Sequence, residues 1–109
     1  MLTVSLLDLP AMDLDRIFDA LSSAPRRRVL AWLSQGELTT AELAERAGIS
    51  APAMSRHLSV LENAGLAASR RHGQRVLYSL VRDTLMDALS AFAAGFSVPA
   101  QPRLKREAL

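Results

Sequence analysis

The chain of 109 residues contains no cysteine, and this absence excludes several kinds of site. A structural disulfide, a thiol redox switch and a soft-metal site made of thiolates all need cysteine. Histidine is scarce as well. The sequence has only His57 and His72, so an imidazole zinc site has no second histidine at ligand spacing. We therefore predict no metal site and no cofactor.

Long hydrophobic runs are also missing. Half of the residues (50%) are hydrophobic, yet no apolar run approaches the length that crosses a bilayer. Residues 1–12 lack the charged start of a signal peptide. The sequence has no phosphate-binding loop and no nucleophile beside a positioned base. We predict a cytoplasmic protein with no membrane partner and no catalytic site.

The charge is small in sum but unevenly distributed. The net charge is +2, four aspartates lie in the first twenty residues, and nearly all cations are arginines. Arg56, Arg70, Arg71 and Arg75 lie together in the second half of the chain. This clustering favours a nucleic-acid partner. One domain of this size buries a modest core, so we also expect dimerisation.

The middle of the chain has the pattern of a helix-turn-helix. Thr39 and Glu42 form a capping box that begins a first helix. Gly48 follows where the chain must reverse, because glycine enters the left-handed region without a Cβ penalty. Ser50 can cap a second helix, which we predict to run to about Asn63.

The second helix is predicted to have one buried face and one face that reads DNA. Met54, Leu58 and Leu61 recur at spacings of four and three and fall on the inner side. The opposite side carries small or hydrogen-bonding residues and one arginine, Arg56. Small side chains let a helix approach the major groove, where arginine pairs bidentately with guanine. His57 lies at the flank, where we expect a half-buried ring bonded to a carbonyl or a phosphate.

The pattern changes after residue 65 from helical to alternating. A short loop with Gly73 separates two alternating runs, which predicts a β-hairpin. Arg70, Arg71 and Arg75 cluster beside its tip. They can protect a solvated strand edge, but beside a helix-turn-helix we favour contacts with phosphates or a minor groove. The predicted DNA-binding residues are Thr40, Ser50, Ala51, Pro52, Ala53, Ser55, Arg56, His57, Ser59, Arg70, Arg71 and Arg75.

Two other helices are predicted to make a dimer interface. The first carries an apolar stripe, and the last, expected from Asp83 to about Phe96, carries a broader one that is too apolar for solvent. Against a second copy they would form an isologous twofold interface. The predicted interface residues are Leu14, Ile17, Phe18, Leu85, Met86, Leu89, Phe92 and Phe96. The alternative is a pocket for an apolar effector, lined by Met86, Phe92 and Phe96.

A basic run opens the helix between these elements. Ser23 can cap this helix, and Val29, Leu30 and Leu33 are expected in the core. Three consecutive arginines in its first turns are expected to make structural ion pairs, phosphate contacts or both, and they are Arg26, Arg27 and Arg28.

Five motifs occur in an order that resembles one known family. They are SSAPRRRVL (22–30), AELA (41–44), SRHL (55–58), LENAGL (61–66) and GQRVLYSL (73–80), with no large insertion between them. Over residues 13–96 the chain is similar to the ArsR family of small dimeric bacterial repressors. The resemblance implies a winged-helix homodimer that binds an operator near its own promoter and releases it on a signal.

The chain departs from the metal-sensing members of that family. Some members place a cysteine pair at positions corresponding to Thr39 and Ala41. Others use Asp and His on the last helix, where this chain has Asp83 and Asp87 but no histidine. The chain most resembles the subgroup without a metal site, some of which are autorepressors or respond to protein partners or small molecules.

We predict a mainly α fold with a small β-hairpin wing, a winged helix-turn-helix that dimerises through its first and last helices. Residues 1–12 are expected to be an N-terminal extension, 13–96 the DNA-binding and dimerisation domain, and 97–109 a flexible basic tail. The predicted function is a metal-independent dimeric repressor that binds an operator in double-stranded DNA. The alternatives are a winged-helix module that binds another protein, and an effector-responsive sensor with an apolar pocket at the dimer interface.

Overall fold

The computed structural model describes residues 13–96, which form five helices and three strands. In chain order the elements are α1 (Leu14–Leu21), α2 (Ala24–Leu33), β1 (Leu38–Thr39), α3 (Thr40–Ala47), α4 (Ala51–Asn63), β2 (Ala67–His72), β3 (Arg75–Leu80) and α5 (Arg82–Ala94). The predictions for residues 1–12 and 97–109 lie outside the described residues. Between residues 13 and 96, no helix is long and apolar enough to cross a membrane.

Side-chain caps fix the starts of the first two helices. The Asp13 carboxylate accepts a hydrogen bond from the backbone N–H of Arg16 at 3.0 Å, and the Ser23 hydroxyl accepts one from that of Arg26 at 3.4 Å. Each cap satisfies a helix N–H that would otherwise have no partner. The prediction that Ser23 caps α2 is confirmed.

The wing is part of a three-stranded antiparallel sheet in the order β1–β3–β2. Its hairpin turns at Gly73, whose φ of 67° lies in the left-handed region that glycine adopts without strain. Leu38 pairs with Tyr78 and Thr39 with Leu77, so β3 is the central strand. The sequence did not indicate β1, because a strand of two residues is too short to show an alternating pattern.

The core lies where the five helices meet the base of the sheet, and α5 contributes Ala88, which is 0% exposed. Met54, Leu58 and Leu61 of α4 are each 0% exposed, which confirms that this side of α4 faces inward. The α2 residues expected in the core are confirmed there as well, and they are Val29, Leu30 and Leu33. Ile17 is 1% exposed, so it packs inside the protomer and its assignment to the dimer interface is corrected.

Candidate nucleic-acid interface

Both ends of α3, the helix before the turn, are fixed by hydrogen bonds. The Thr39 hydroxyl accepts from the N–H of Glu42 at 3.1 Å, and the Glu42 carboxylate accepts from the N–H of Thr39 at 2.8 Å. This confirms the capping box, and these bonds from Thr39 hold the pKa of Glu42 below its ordinary value. At the other end Gly48 has a φ of 71°, and the N–H of Ile49 donates back to the carbonyl of Ala44 at 3.1 Å.

The outer face of α4 consists of short polar or apolar side chains around one guanidinium. The Ser50 hydroxyl accepts from the N–H of Ala53 at 3.2 Å, and Pro52 lies in the first turn, where no N–H is needed. Six of the predicted DNA contacts are exposed here, and they are Ser50, Ala51, Pro52, Ser55, Arg56 and Ser59. Ala53 and His57 are half-buried at the edges. This surface can approach base edges closely.

The start of α3 and the hairpin tip lie on opposite sides of a hollow of about 280 Å³. Thr40 lines it from α3, and Arg75 and Gln74 line it from the wing. Thr40 is half-buried and Arg75 is exposed. The fold therefore brings together two predicted DNA contacts from elements far apart in the sequence.

His57 is half-buried as predicted, but its partner within the protomer is an arginine and not a carbonyl; a phosphate partner stays a prediction. Its Nδ1 lies 3.3 Å from Nη1 of Arg26 on α2. Burial lowers the pKa of His57 below 6.5, and the positive charges of Arg26 and Arg56 act in the same direction. These surroundings therefore favour the neutral imidazole over the protonated one.

Arg26 and Arg27 bind backbone carbonyls at the end of α1. Nε of Arg26 donates to the carbonyl of Ala20, and Nη1 of Arg27 donates to that of Leu21, each at 2.7 Å. Such carbonyls have no partner within the helix, and a cation beside them suits the helix dipole. Neither arginine forms an ion pair within the described part of the chain. The expected ion pairs are therefore not formed at these two positions among residues 13–96, whereas contacts with phosphate stay a prediction.

The three wing arginines differ in their surroundings. Arg70 forms a bidentate ion pair with Glu37, with Nε 2.9 Å from Oε2 and Nη2 2.8 Å from Oε1. The hydrogen bond from Arg70 lowers the pKa of Glu37, and the same bond raises the pKa of Arg70. Arg71 and Arg75 are exposed and have no ion-pair partner among residues 13–96. Sequence reasoning missed the Glu37 contact because no local pattern links residues so far apart.

The strand alternation separates Arg70 from Arg71. Successive side chains of β2 point to opposite faces, so Arg71 shares a face with Ser69. The Ser69 hydroxyl donates to the Glu62 carboxylate of α4 at 2.8 Å. Arg71 is therefore on the side of the sheet that faces α4, and Arg70 is on the other side.

The outer side of α5 and part of α1 form one apolar surface, the α1–α5 surface. Its exposed members are Met86 (53%), Leu89 (42%), Phe92 (49%) and Phe96 (58%). The Phe92 ring packs edge-on against Phe18 of α1 at a centroid distance of 5.1 Å and against Phe96 at 4.9 Å. An apolar patch of this kind is typical of a protein interface.

The residues predicted for an effector pocket lie on this open surface. An apolar groove of about 310 Å³ occurs elsewhere, between α1, α2 and the start of α5. Its lining consists of Leu21, Arg27, Leu30, Ala31, Ser34, Leu80, Arg82 and Leu85. Met86, Phe92 and Phe96 do not line this groove.

The chain is similar in sequence to known bacterial regulatory proteins. Residues 24–69 match the family described as bacterial regulatory protein, arsR family. The chain is 35% identical over 77 residues to the transcriptional repressor SdpR of Bacillus subtilis (strain 168), covering 71% of this chain and 86% of that protein.

Two solved structures are similar over most of the chain. One is the crystal structure of an ArsR family transcriptional regulator, with 30% identity and a TM-score of 0.70, covering 81% of this chain and 89% of that one. The other is the solution NMR structure of a homodimeric winged helix-turn-helix DNA-binding domain from Mycobacterium bovis, with 27% identity and a TM-score of 0.64, covering 86% and 84%. The predicted winged helix-turn-helix fold is confirmed.

Proposed function

The chain belongs to the arsR family of bacterial regulatory proteins, and we propose that it is a metal-independent dimeric repressor that binds an operator in double-stranded DNA. In the proposed complex α4 enters the major groove, and the wing contacts the minor groove or phosphates. A DNA target also gives a cytoplasmic location at the nucleoid. The relatives named above are transcriptional regulators, in agreement with the prediction that the chain is not an enzyme.

The observation that carries this proposal is the outer face of α4. The capped turn before it presents Ala51, Pro52 and Ser55 without long side chains in the way, and Arg56 extends from the same exposed face. A guanidinium can bind guanine O6 and N7 bidentately, and an alanine methyl can meet a thymine methyl. We assign base reading to this face.

The wing supports a second contact. Arg71 and Arg75 are exposed beside the hairpin tip, and Arg71 is on the α4 side of the sheet. Guanidinium groups at such a tip can neutralise phosphates or enter a narrow minor groove. This contact adds affinity for DNA of any sequence, whereas α4 supplies the preference for one sequence.

The α1–α5 surface supports a twofold dimer. Three large apolar side chains of α5, and that of Phe96 just beyond its end, are 42–58% exposed in the isolated protomer. Covering them with the same surface of a second copy removes them from water. We propose Leu14, Phe18, Leu85, Met86, Leu89, Phe92 and Phe96 for this interface. A twofold dimer carries two copies of α4, so the operator should be a palindrome with half-sites about one helical turn, roughly 34 Å, or a multiple of that apart.

Metal independence is supported by the small number of metal-ligating side chains. The sequence has no cysteine, and among residues 13–96 no group of three His, Cys, Asp or Glu side chains lies close enough to hold an ion. Of the two histidines, His57 is bound to Arg26 and His72 is on the wing. These residues belong to the proposed DNA-binding surface.

The proposal is tested by titrating the purified full chain against its own upstream region and a scrambled duplex of equal length. Binding is measured at low and moderate salt, with and without a chelator. We expect selective binding to the upstream region that weakens steeply as salt rises, because phosphate contacts release counterions. The chelator should have no effect.

Each other outcome contradicts a defined part of the proposal. Loss of binding with the chelator would refute metal independence. Equal binding to both duplexes would refute an operator in the upstream region. Absence of DNA binding, together with salt-insensitive binding to another protein, would favour the alternative in which α4 forms a protein interface.

A further inference from the structure

One guanidinium links the end of α1 to the recognition helix α4. Nε and Nη2 of Arg26 donate to the carbonyls of Ala20 and Asp19, at 2.7 and 3.2 Å. With two of its nitrogens bound, the plane of the guanidinium is fixed relative to α1. Its Nη1 then meets Nδ1 of His57 at 3.3 Å.

The chemistry of this contact decides where the histidine carries its proton. A guanidinium has donors only and stays charged at any physiological pH. Nδ1 of His57 must therefore accept, and it can accept only when it carries no hydrogen. In the neutral ring the single proton is then on Nε2, the nitrogen further from the backbone. A proton on Nδ1 would place a donor against a donor beside Arg26, and a second cation, Arg56, lies next along α4.

We propose that Arg26 is a positioning residue for DNA binding: it holds His57 as the Nε2–H tautomer, and this N–H donates to the operator. The inference rests on the proposed function, since it assumes that the outer face of α4 meets DNA. His57 is half-buried at the edge of that face, and Nε2 has no hydrogen-bond partner within residues 13–96. A fixed N–H donor there suits a phosphate oxygen or a base acceptor.

The same guanidinium also connects the proposed dimer interface with the DNA-binding surface. α1 carries Phe18, which packs against Phe92 of α5, and Arg26 binds the carbonyls at the end of α1. Arg26 therefore fixes the orientation of the His57 ring relative to α1, the helix that is proposed to contact the second copy.

Two substitutions at position 57 distinguish the role of Nδ1 from that of Nε2. In His57→Asn the side-chain oxygen lies near the position of Nδ1 and can still accept from Arg26, but no donor reaches the position of Nε2. In His57→Gln the amide reaches the position of Nε2 and can donate, but Arg26 loses its acceptor. We expect His57→Asn to keep the melting temperature of the wild type. It should bind the operator about tenfold or more weakly, because it loses a charge-assisted hydrogen bond. His57→Gln should retain more of the affinity.

The tautomer is measured directly in the free protein by long-range ¹H–¹⁵N correlation NMR of the labelled full chain at neutral pH. We expect His57 to show a protonated Nε2 and a bare Nδ1. Arg26→Gln should change this pattern and weaken operator binding, with little further loss when combined with His57→Asn. Arg27→Gln is the matched control, because Arg27 also binds a carbonyl at the end of α1 but does not touch His57. It should leave the tautomer unchanged and weaken operator binding less than Arg26→Gln does.

Three results would overturn the inference. They are a protonated Nδ1 in the wild-type protein, wild-type operator affinity in His57→Asn, and an equal effect of Arg26→Gln and Arg27→Gln on binding. A wild-type protein that binds no duplex would refute the proposed function and, with it, the role of His57 as a DNA donor. Wild-type binding that His57→Asn leaves intact would refute this inference alone.

Discussion

Arg70 of β2 and Glu37 before β1 bind each other across the central strand β3, through two hydrogen bonds of 2.9 and 2.8 Å. The side chains are 55% and 36% exposed, so solvent screens the ion pair and its contribution to stability is small. In the proposed complex its larger effect is on DNA binding, because the ion pair neutralises one of the three wing arginines. Arg71 and Arg75 then remain as the cations of the wing that are available to phosphates.

Breaking this ion pair should strengthen nonspecific DNA binding. Glu37→Gln removes the carboxylate charge that Arg70 binds, so Arg70 becomes available to a phosphate. We expect tighter binding to random duplex and a steeper dependence of the affinity on salt, measured by fluorescence anisotropy over a salt series. In the wild-type background Arg70→Ala should reduce the affinity less than Arg71→Ala. Equal reductions for the two arginines would show that Arg70 leaves Glu37 when DNA binds.

Arg71→Ala should weaken binding to all duplexes alike. The side chain lies on the α4 side of the wing without an ion-pair partner in the described residues, and a phosphate contact carries no sequence information. The slope of log affinity against log salt should become shallower by about 1 for each phosphate that the protein no longer neutralises. Arg82→Ala is the control, because it removes the same charge beyond the other end of β3, roughly 17 Å or more from the hairpin tip at 3.3 Å per residue. A slope that Arg71→Ala leaves unchanged would remove Arg71 from the phosphate-binding residues.

Arg56→Ala should weaken binding to the operator selectively. Arg56 is exposed on the outer face of α4, where a bidentate contact with guanine discriminates by about 1–3 kcal/mol. The affinity for random duplex should change little, and competition between the two duplexes measures the ratio. Arg82→Ala again controls for charge. If the affinity for both duplexes fell equally, Arg56 would be a phosphate ligand.

Phe92→Asp should split the dimer and thereby abolish tight operator binding. Phe92 is 49% exposed at the centre of an aromatic row between Phe18 and Phe96, and a carboxylate there would have to be buried against the partner. Analytical ultracentrifugation measures the mass. Ser90→Asp is the matched control, since Ser90 is exposed and about 160° around α5 from Phe92. A Phe92→Asp variant that stays dimeric would overturn the proposed interface.

The stability of the protein should depend on pH through His57. Its pKa in the folded chain is below 6.5, so as pH falls below 6.5 the unfolded chain takes up a proton before the folded chain does. The free energy of unfolding should therefore decrease as pH falls from 6.5 to the folded pKa, and this contribution is fully present above 6.5. Urea denaturation at several pH values should show the decrease in the wild type, and His57→Asn should lack this component. An identical pH dependence in both proteins would contradict the shift.

Local signals in the sequence were sufficient for the helix-turn-helix. The capping box of Thr39 and Glu42, the reversal at Gly48 and the cap at Ser50 each depend on residues within a few positions of one another. The hairpin at Gly73 has the same property. Such features follow from the backbone chemistry of short segments, and the structure confirms all of them.

Contacts between distant segments could not be predicted in this way. Arg70 and Glu37 are 33 residues apart, and Arg26 and His57 are 31 apart, so no periodicity connects them. The apolar stripe of α1 likewise did not show that Ile17 faces the protomer's own core, while Phe18 packs against α5. A stripe shows that a side is buried but not which partner covers it.

The pairing of the short strand β1 has a consequence for how the recognition helix and the wing unfold. Because β1 pairs with β3, the segment between Thr39 and Leu77, with α3, α4 and β2, is a loop whose ends are joined by backbone hydrogen bonds. Because α3 begins at Thr40, directly after β1, moving α3 away from the hairpin breaks this strand pairing, and α4 follows α3 after a short turn. Amide protons in α4 and in the wing should therefore exchange with solvent as one cooperative unit, so that the recognition helix and the wing unfold or stay folded together.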